Sequence, residues 1–89
     1  MSKALDAVTD DTLSSVVTMT GPKTFFVYGL TSGSRVRVLA QATGGFMPLQ
    51  VIGYADIPVD ANKPFTLELY NTDLYFQVED NEGSVTIEY

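Results

Sequence analysis

Residues 65–89, FTLELYNTDLYFQVEDNEGSVTIEY, form the stretch that decides the fold. Apolar side chains alternate with polar ones in three runs. A period of two is typical of strands that bury one face. Since facing residues of paired strands point to the same side of a sheet, the alternation predicts a meander in which Leu69 faces Leu74 and Val78 faces Val85.

The same alternation continues towards the N-terminus, without a long helical pattern. Segments rich in Gly, Pro, Asn and Asp separate the apolar runs and supply turn dihedrals. We therefore predict an all-β fold, an antiparallel β-sandwich or small barrel of about seven strands. The predicted strands cover residues 12–20, 24–30, 35–42, 46–57, 65–70, 74–79 and 84–89.

The first part of the chain differs in composition. Ser, Thr and Asp alternate with small apolar groups, and after Met1 the only sizeable apolar side chains are Leu5 and Val8. We predict an extended N-terminal arm over residues 1–11 and a single β domain over residues 12–89. A frayed terminus and a segment that orders only against a partner are both consistent with this arm.

Composition restricts the chemistry available to the chain. It has 89 residues and contains neither Cys nor His. Disulfides are therefore excluded, zinc or copper sites of the usual kind lack ligands, and the common nucleophile–base pairs cannot form. We expect a non-catalytic protein with no catalytic residues, metal or cofactor. Because a small domain has a thin core, we also expect it to self-associate.

The net charge is −6, from 11 acidic and 5 basic residues. Nucleic-acid binding and docking on anionic lipid both need a basic surface, so we expect neither partner. The N-terminus lacks the apolar core of a signal peptide, and no stretch approaches the ~18 apolar residues of a membrane span. We expect a protein made in the cytoplasm without export.

Two groups of carboxylates invite a chemical interpretation. The predicted meander places Glu68, Tyr75 and Glu88 in one row, but on a flat polar face where solvated glutamates are the simpler explanation. The run Asp80-Asn81-Glu82-Gly83 lacks the calcium-loop pattern and suits a tight turn between strands.

The second and third predicted strands are apolar on both faces. Pairing residues 24–30 with 35–42 sets Tyr28 opposite Val38 on the predicted core side. The reverse face then combines apolar and basic side chains: Phe25, Val27, Arg35, Arg37 and Leu39. A strand of this kind is covered either by another layer of its own chain or by another chain. Both explanations remain open.

These observations select the candidate interaction residues. A partner interface is predicted at Leu5, Val8, Phe25, Val27, Arg35, Arg37 and Leu39. Ligand stacking is the second use considered for exposed aromatic rings, at Phe46, Tyr70 and Tyr75, because such rings pack on sugars and anchor interfaces.

The chain resembles the small β-sandwich accessory proteins of tailed-phage virions, such as capsid decoration proteins. The likeness lies in the arm at residues 1–11, the Gly21-Pro22-Lys23 turn, the TFFVYGL strand at 24–30 and the glycine turn TSGSRVRV at 31–38. It implies a virion protein that stabilises an assembly. Its partners would be other subunits of a homo-oligomer, a trimer among the arrangements allowed, and a larger protein lattice. A carbohydrate- or receptor-binding module is the alternative.

Overall fold

A computed structural model describes residues 2–31, 33–53 and 63–89, with the backbone alone for residues 50–53. Over these ranges the chain forms strands and no helix, which confirms the all-β prediction. The strands are β1 (Lys3–Val8), β2 (Val17–Tyr28), β3 (Arg35–Ala42), β4 (Gly45–Gly53), β5 (Phe65–Glu79) and β6 (Val85–Glu88). They are antiparallel and lie in one open sheet in the order β1-β6-β2-β5-β3-β4.

Two predicted turns lie inside strands, which merges four predicted strands into two. Because the predicted arm contributes β1, the described residues form six strands rather than seven. β2 continues through Gly21-Pro22-Lys23, where Pro22 lies opposite Glu68 in the ladder with β5. β5 continues through residues 71–73, where Asn71 takes a positive φ of 52° beside a shift in register. Asn71 forms a β-bulge, which bends a strand without ending it, whereas Gly21-Pro22-Lys23 stay in regular register with β5. Residues 54–57 of the predicted fourth strand lie outside the described residues.

The predicted meander is wrong for the same reason. Leu69 and Leu74 belong to a single strand and therefore cannot face each other. Val78 does not pair with Val85, because β6 pairs with β1 and with the end of β2. The predicted pairing of Tyr28 with Val38 is also replaced, since β3 lies between β4 and β5. The local alternation was correct, but the neighbours are distant in sequence.

The central strand β5 bends sharply. Phe65 and Phe76 are 11 positions apart on β5, yet their ring centroids are 6.4 Å apart. A straight strand would separate them by about 36 Å, at ~3.3 Å per residue. The two halves of one sheet face therefore enclose a common core. We call this face the inner face; its buried side chains are Ala4, Leu5, Val17, Met19, Phe25, Val27, Leu30, Val36, Val38, Leu74, Phe76, Val78, Val85 and Ile87.

The predicted arm is part of this sheet. Residues 3–8 form β1, which pairs with β6 and buries Leu5. Beyond the strand, Ser2 and Tyr89 exchange backbone hydrogen bonds of 3.1 and 2.9 Å. The N-terminal segment is extended, as predicted, but it is ordered against the chain's own C-terminal strand.

Candidate functional site

Three of the predicted interface residues lie in the core. Phe25 is fully buried, and its ring contacts those of Phe65, Phe76 and Tyr89 at centroid distances of 5.4, 5.1 and 5.6 Å. Val27 is 2 % exposed and Leu5 is 3 % exposed. The interface prediction is therefore corrected at these positions: in this fold the chain covers them itself. The error arose because the end of β2 pairs with β6 and not with β3.

The other arm residue behaves similarly. Val8 is half-buried and packs against the core at the edge of the sheet. Its backbone carbonyl accepts a 2.9 Å hydrogen bond from Asn81 Nδ2. Both predicted arm contacts are thus made within the chain.

Five predicted site residues meet on the opposite side of the sheet. Strand pairing places Arg35 opposite Glu79, Arg37 opposite Gln77 and Leu39 opposite Tyr75. Across β4, Leu39 lies opposite Pro48. We call the surface formed by Arg35, Arg37, Leu39, Phe46 and Tyr75 the outer face.

An aromatic pair forms the apolar part of the outer face. Phe46 and Tyr75 pack edge to face, with ring centroids 5.1 Å apart and planes at 77°. Leu39 lies between the strands that carry them and is half-buried. Phe46 remains 45 % exposed. Aromatic pairs of this geometry hold their rings in fixed positions, so the exposed ring is preorganised for contact.

An ion triad forms the polar part. The Nε atoms of Arg35 and Arg37 each donate to Oε1 of Glu79, at 2.6 and 2.7 Å. The hydrogen bond from Arg37 lowers the pKa of Glu79; burial opposes this, and the bond and charge of Arg35 reinforce it. Two arginines and one glutamate leave the triad with a net charge of 2 − 1 = +1, although the whole chain carries −6. The outer face is therefore suited to an acidic partner.

The neighbouring edge strand β4 is unusually apolar. Met47 is 59 % exposed and Leu49 is 43 % exposed, beside Phe46. The sequence from Val38 to Ala55 contains no charged residue. An edge strand with exposed apolar side chains is a typical site of protein association. Pro48 and a register shift between Val38 and Leu39 interrupt the ladder with β3.

Met47 and Leu49 were missed as site residues. The sequence signal that could have found them is the uncharged run from Val38 to Ala55, the longest in the chain, which lies on both sides of Phe46.

The third predicted stacking residue is separate. Tyr70 lies on β5 beyond the Asn71 bulge, is 58 % exposed, and donates a 3.2 Å hydrogen bond to Glu68 Oε1. The predicted row of Glu68, Tyr75 and Glu88 does not exist, because Glu68 and Tyr75 share one strand.

The acidic turn after β5 is held by hydrogen bonds. The Asp11 carboxylate accepts from the backbone N–H groups of Asp80 and Asn81, at 3.2 and 2.9 Å. Gly83 N–H donates to Asn81 Oδ1 at 3.1 Å. In the ranges that the structure covers, no group of His, Cys, Asp or Glu is arranged to hold a metal ion. The turn interpretation accounts for these residues.

Comparisons with models of protein families, with curated proteins and with solved structures found no match. Among the described residues there is no helix with the length and apolar character needed to cross a membrane.

Proposed function

We propose that the chain is a non-catalytic binding module that stabilises a protein assembly through its outer face and the edge strand β4. A virion capsid decoration or cement protein is the specific form of this role, since the sequence resembles that class. On this proposal the curled sheet serves as a two-layered β-sandwich. Its inner face holds the fold together, and its outer face contacts other subunits.

The observation that carries the proposal is an edge strand with three exposed apolar side chains, in a sheet whose outer face also carries an arginine pair. Phe46, Met47 and Leu49 are exposed on the edge strand, and Arg37 lies on the neighbouring strand. Interfaces are enriched in aromatic residues, Met and Arg and depleted in Lys and Glu at their centres. The composition of the outer face and of β4 follows this pattern.

The mechanism is reinforcement by buried area. Each Å² of apolar surface removed from water contributes about 25 cal/mol, so several modest contacts along a lattice add up without one strong site. Arg37 orients the partner on this surface, because its guanidinium has donors beyond the one bound to Glu79 and can pair with a carboxylate of the partner.

Sedimentation velocity over a range of concentrations tests the proposal. The unmodified chain is expected to self-associate, and Phe46→Glu to weaken association about tenfold or more, as for the loss of ~1.4 kcal/mol at an interface. Tyr28→Glu is the matched control, since Tyr28 is 50 % exposed on β2 away from β4. A concentration-independent monomer, or equal effects of both variants, would count against the proposal.

The alternative carbohydrate- or receptor-binding module would use the same aromatic pair. The observation that favours it is the exposure of the Phe46 ring, which packs edge to face against Tyr75 and suits stacking on a sugar ring. A glycan array probed with the unmodified chain and with Phe46→Ala distinguishes the two functions. Binding that Phe46→Ala removes, from a chain that stays monomeric, would support the alternative.

A further inference from the structure

The N-terminal segment, residues 2–14, docks on one continuous part of the molecule. β1 pairs with β6, and Leu13 bridges Gln77 of β5. Apart from contacts within the segment and one to Ser15, its hydrogen bonds in the described chain reach residues 76–89. We call residues 76–89 the docking surface. It comprises the end of β5, the acidic turn and β6.

A short link joins this segment to the rest of the sheet. Ser15 and Val16 connect Ser14 to the start of β2, and both side chains are exposed. Val16 is 44 % exposed and Leu13, just before the link, is 43 % exposed. When the segment docks on its own chain, these two apolar side chains stay exposed to solvent, and no contact within the described chain accounts for them.

The docking surface does not depend on the N-terminal segment for its own support. The end of β2 holds β6 from the other side, with Val27 opposite Ile87 and Tyr28 opposite Thr86. The end of β5 is held by β3, where Val36 lies opposite Val78. The surface can therefore keep its shape when the segment opens at the link.

We infer that the N-terminal segment exchanges between copies of this chain, so that residues 2–14 of one copy dock on residues 76–89 of another. The occupant of the surface is identified by the structure itself, because the same side chains make the same contacts in either arrangement. Exchange of an identical element is a low-cost route to association, since new contacts are needed only at the crossing. Leu13 and Val16 lie where the segment passes from one copy to the other, and they become more buried there.

This inference extends the proposed function by naming a second copy as partner, and it uses a surface separate from the outer face. Both surfaces can act in one assembly. Exchange links copies through the inner core, and the outer face supplies the remaining contacts.

Because the chain contains no cysteine, engineered cysteines test the exchange without background. Lys3 and Glu88 are partners across β1 and β6, and such pairs lie within disulfide range, with Cα atoms about 4.5–5.5 Å apart. Chains carrying only Lys3→Cys are mixed with isotope-labelled chains carrying only Glu88→Cys, warmed below the unfolding transition and mildly oxidised. Non-reducing gels and mass spectrometry then measure the mixed disulfide dimer.

The matched control is Thr24→Cys mixed with Thr66→Cys. These residues face each other between β2 and β5, with hydroxyl oxygens 2.8 Å apart, in a pair that the exchange leaves within one chain. We expect the mixed dimer of the first pair to exceed that of the control about a hundredfold. Docking raises the effective thiol concentration to the millimolar range, against ~10 μM in free solution.

A mixed dimer at the level of the control would overturn the exchange, as would a Lys3→Cys/Glu88→Cys double variant that closes its disulfide only within single chains. Neither result affects the proposed function if the unmodified chain still associates and Phe46→Glu prevents it. Inserting two glycines between Ser15 and Val16 is a further test. A longer link relaxes the closed chain and is expected to lower the exchanged fraction; an unchanged fraction would contradict a hinge at this link.

Discussion

Phe25 joins the two halves of the core, since its ring contacts Phe65 on one half of β5 and Phe76 on the other. Phe25→Ala is expected to lower the free energy of unfolding by about 3–5 kcal/mol, because it removes buried area and leaves a cavity. Phe46→Ala is the control, since its ring is 45 % exposed, and should cost much less. Urea denaturation of both variants measures the difference. Equal losses would contradict the assignment of Phe25 to the core.

Glu79 gives the stability a pH dependence. Its pKa in the folded chain lies below the ordinary value of 4.5, because Arg37 and Arg35 bind the charged form. A carboxyl with a lowered folded pKa stabilises the fold above its unfolded pKa, and this contribution disappears as the pH falls through the folded value. At pH 7 the unmodified chain should therefore be more stable than Glu79→Gln.

The difference is expected to be no more than about 1 kcal/mol, since a partly exposed ion pair is screened by water. It should begin to shrink below pH 4.5, where the carboxyl of the unfolded chain takes up a proton, and should disappear below the lowered pKa of the folded chain, where Glu79 resembles glutamine. Urea denaturation of both proteins at a series of pH values from 7 to 3 measures it. A constant difference throughout would show that the triad has no electrostatic role.

At the level of elements, Gly29 connects β2 to the following loop with a φ of 78°. A Cβ atom there would overlap the backbone carbonyl oxygen of Ser84, just before β6. Gly29→Ala is expected to cost about 2–4 kcal/mol, from the left-handed backbone and the forced displacement of β6. Gly44→Ala is the control, because nothing lies near its Cβ position. Thermal unfolding of both variants tests this; similar melting temperatures would contradict it.

The sequence correctly indicates strands but misplaces their ends. Gly21-Pro22-Lys23 and Asn71-Thr72-Asp73 contain residues that normally turn the chain, and each is predicted from sequence to connect two strands. In the structure the first segment lies within β2 and pairs with β5, and the second lies within β5 and pairs with β2 at Thr72 and Asp73. Local composition reports that the backbone departs from a straight strand; whether it turns back or bends depends on a partner more than 40 positions away.

At the level of the whole molecule, alternation cannot tell which face is buried when both faces are apolar. Phe25 and Val27 occupy one face of β2, while Phe26 and Tyr28 occupy the other. The choice follows from the pairing of β2 with β6, which no local pattern specifies. On β3 one face is clearly polar, and Arg35, Arg37 and Leu39 lie on the side of the sheet where Tyr75 and Phe46 join them. That part of the site was predicted, as was Phe46 on β4, whereas Met47 and Leu49 on the same strand were missed.

The pairing of β1 with β6 also sets the order in which the chain can fold during its synthesis. Residues 3–8 leave the ribosome before their pairing strand, residues 85–88, which is translated some eighty codons later. Until then the native partner of Leu5 on β6, Ile87, has not been synthesised. Neighbouring nascent chains on one messenger RNA therefore each expose an unpaired β1.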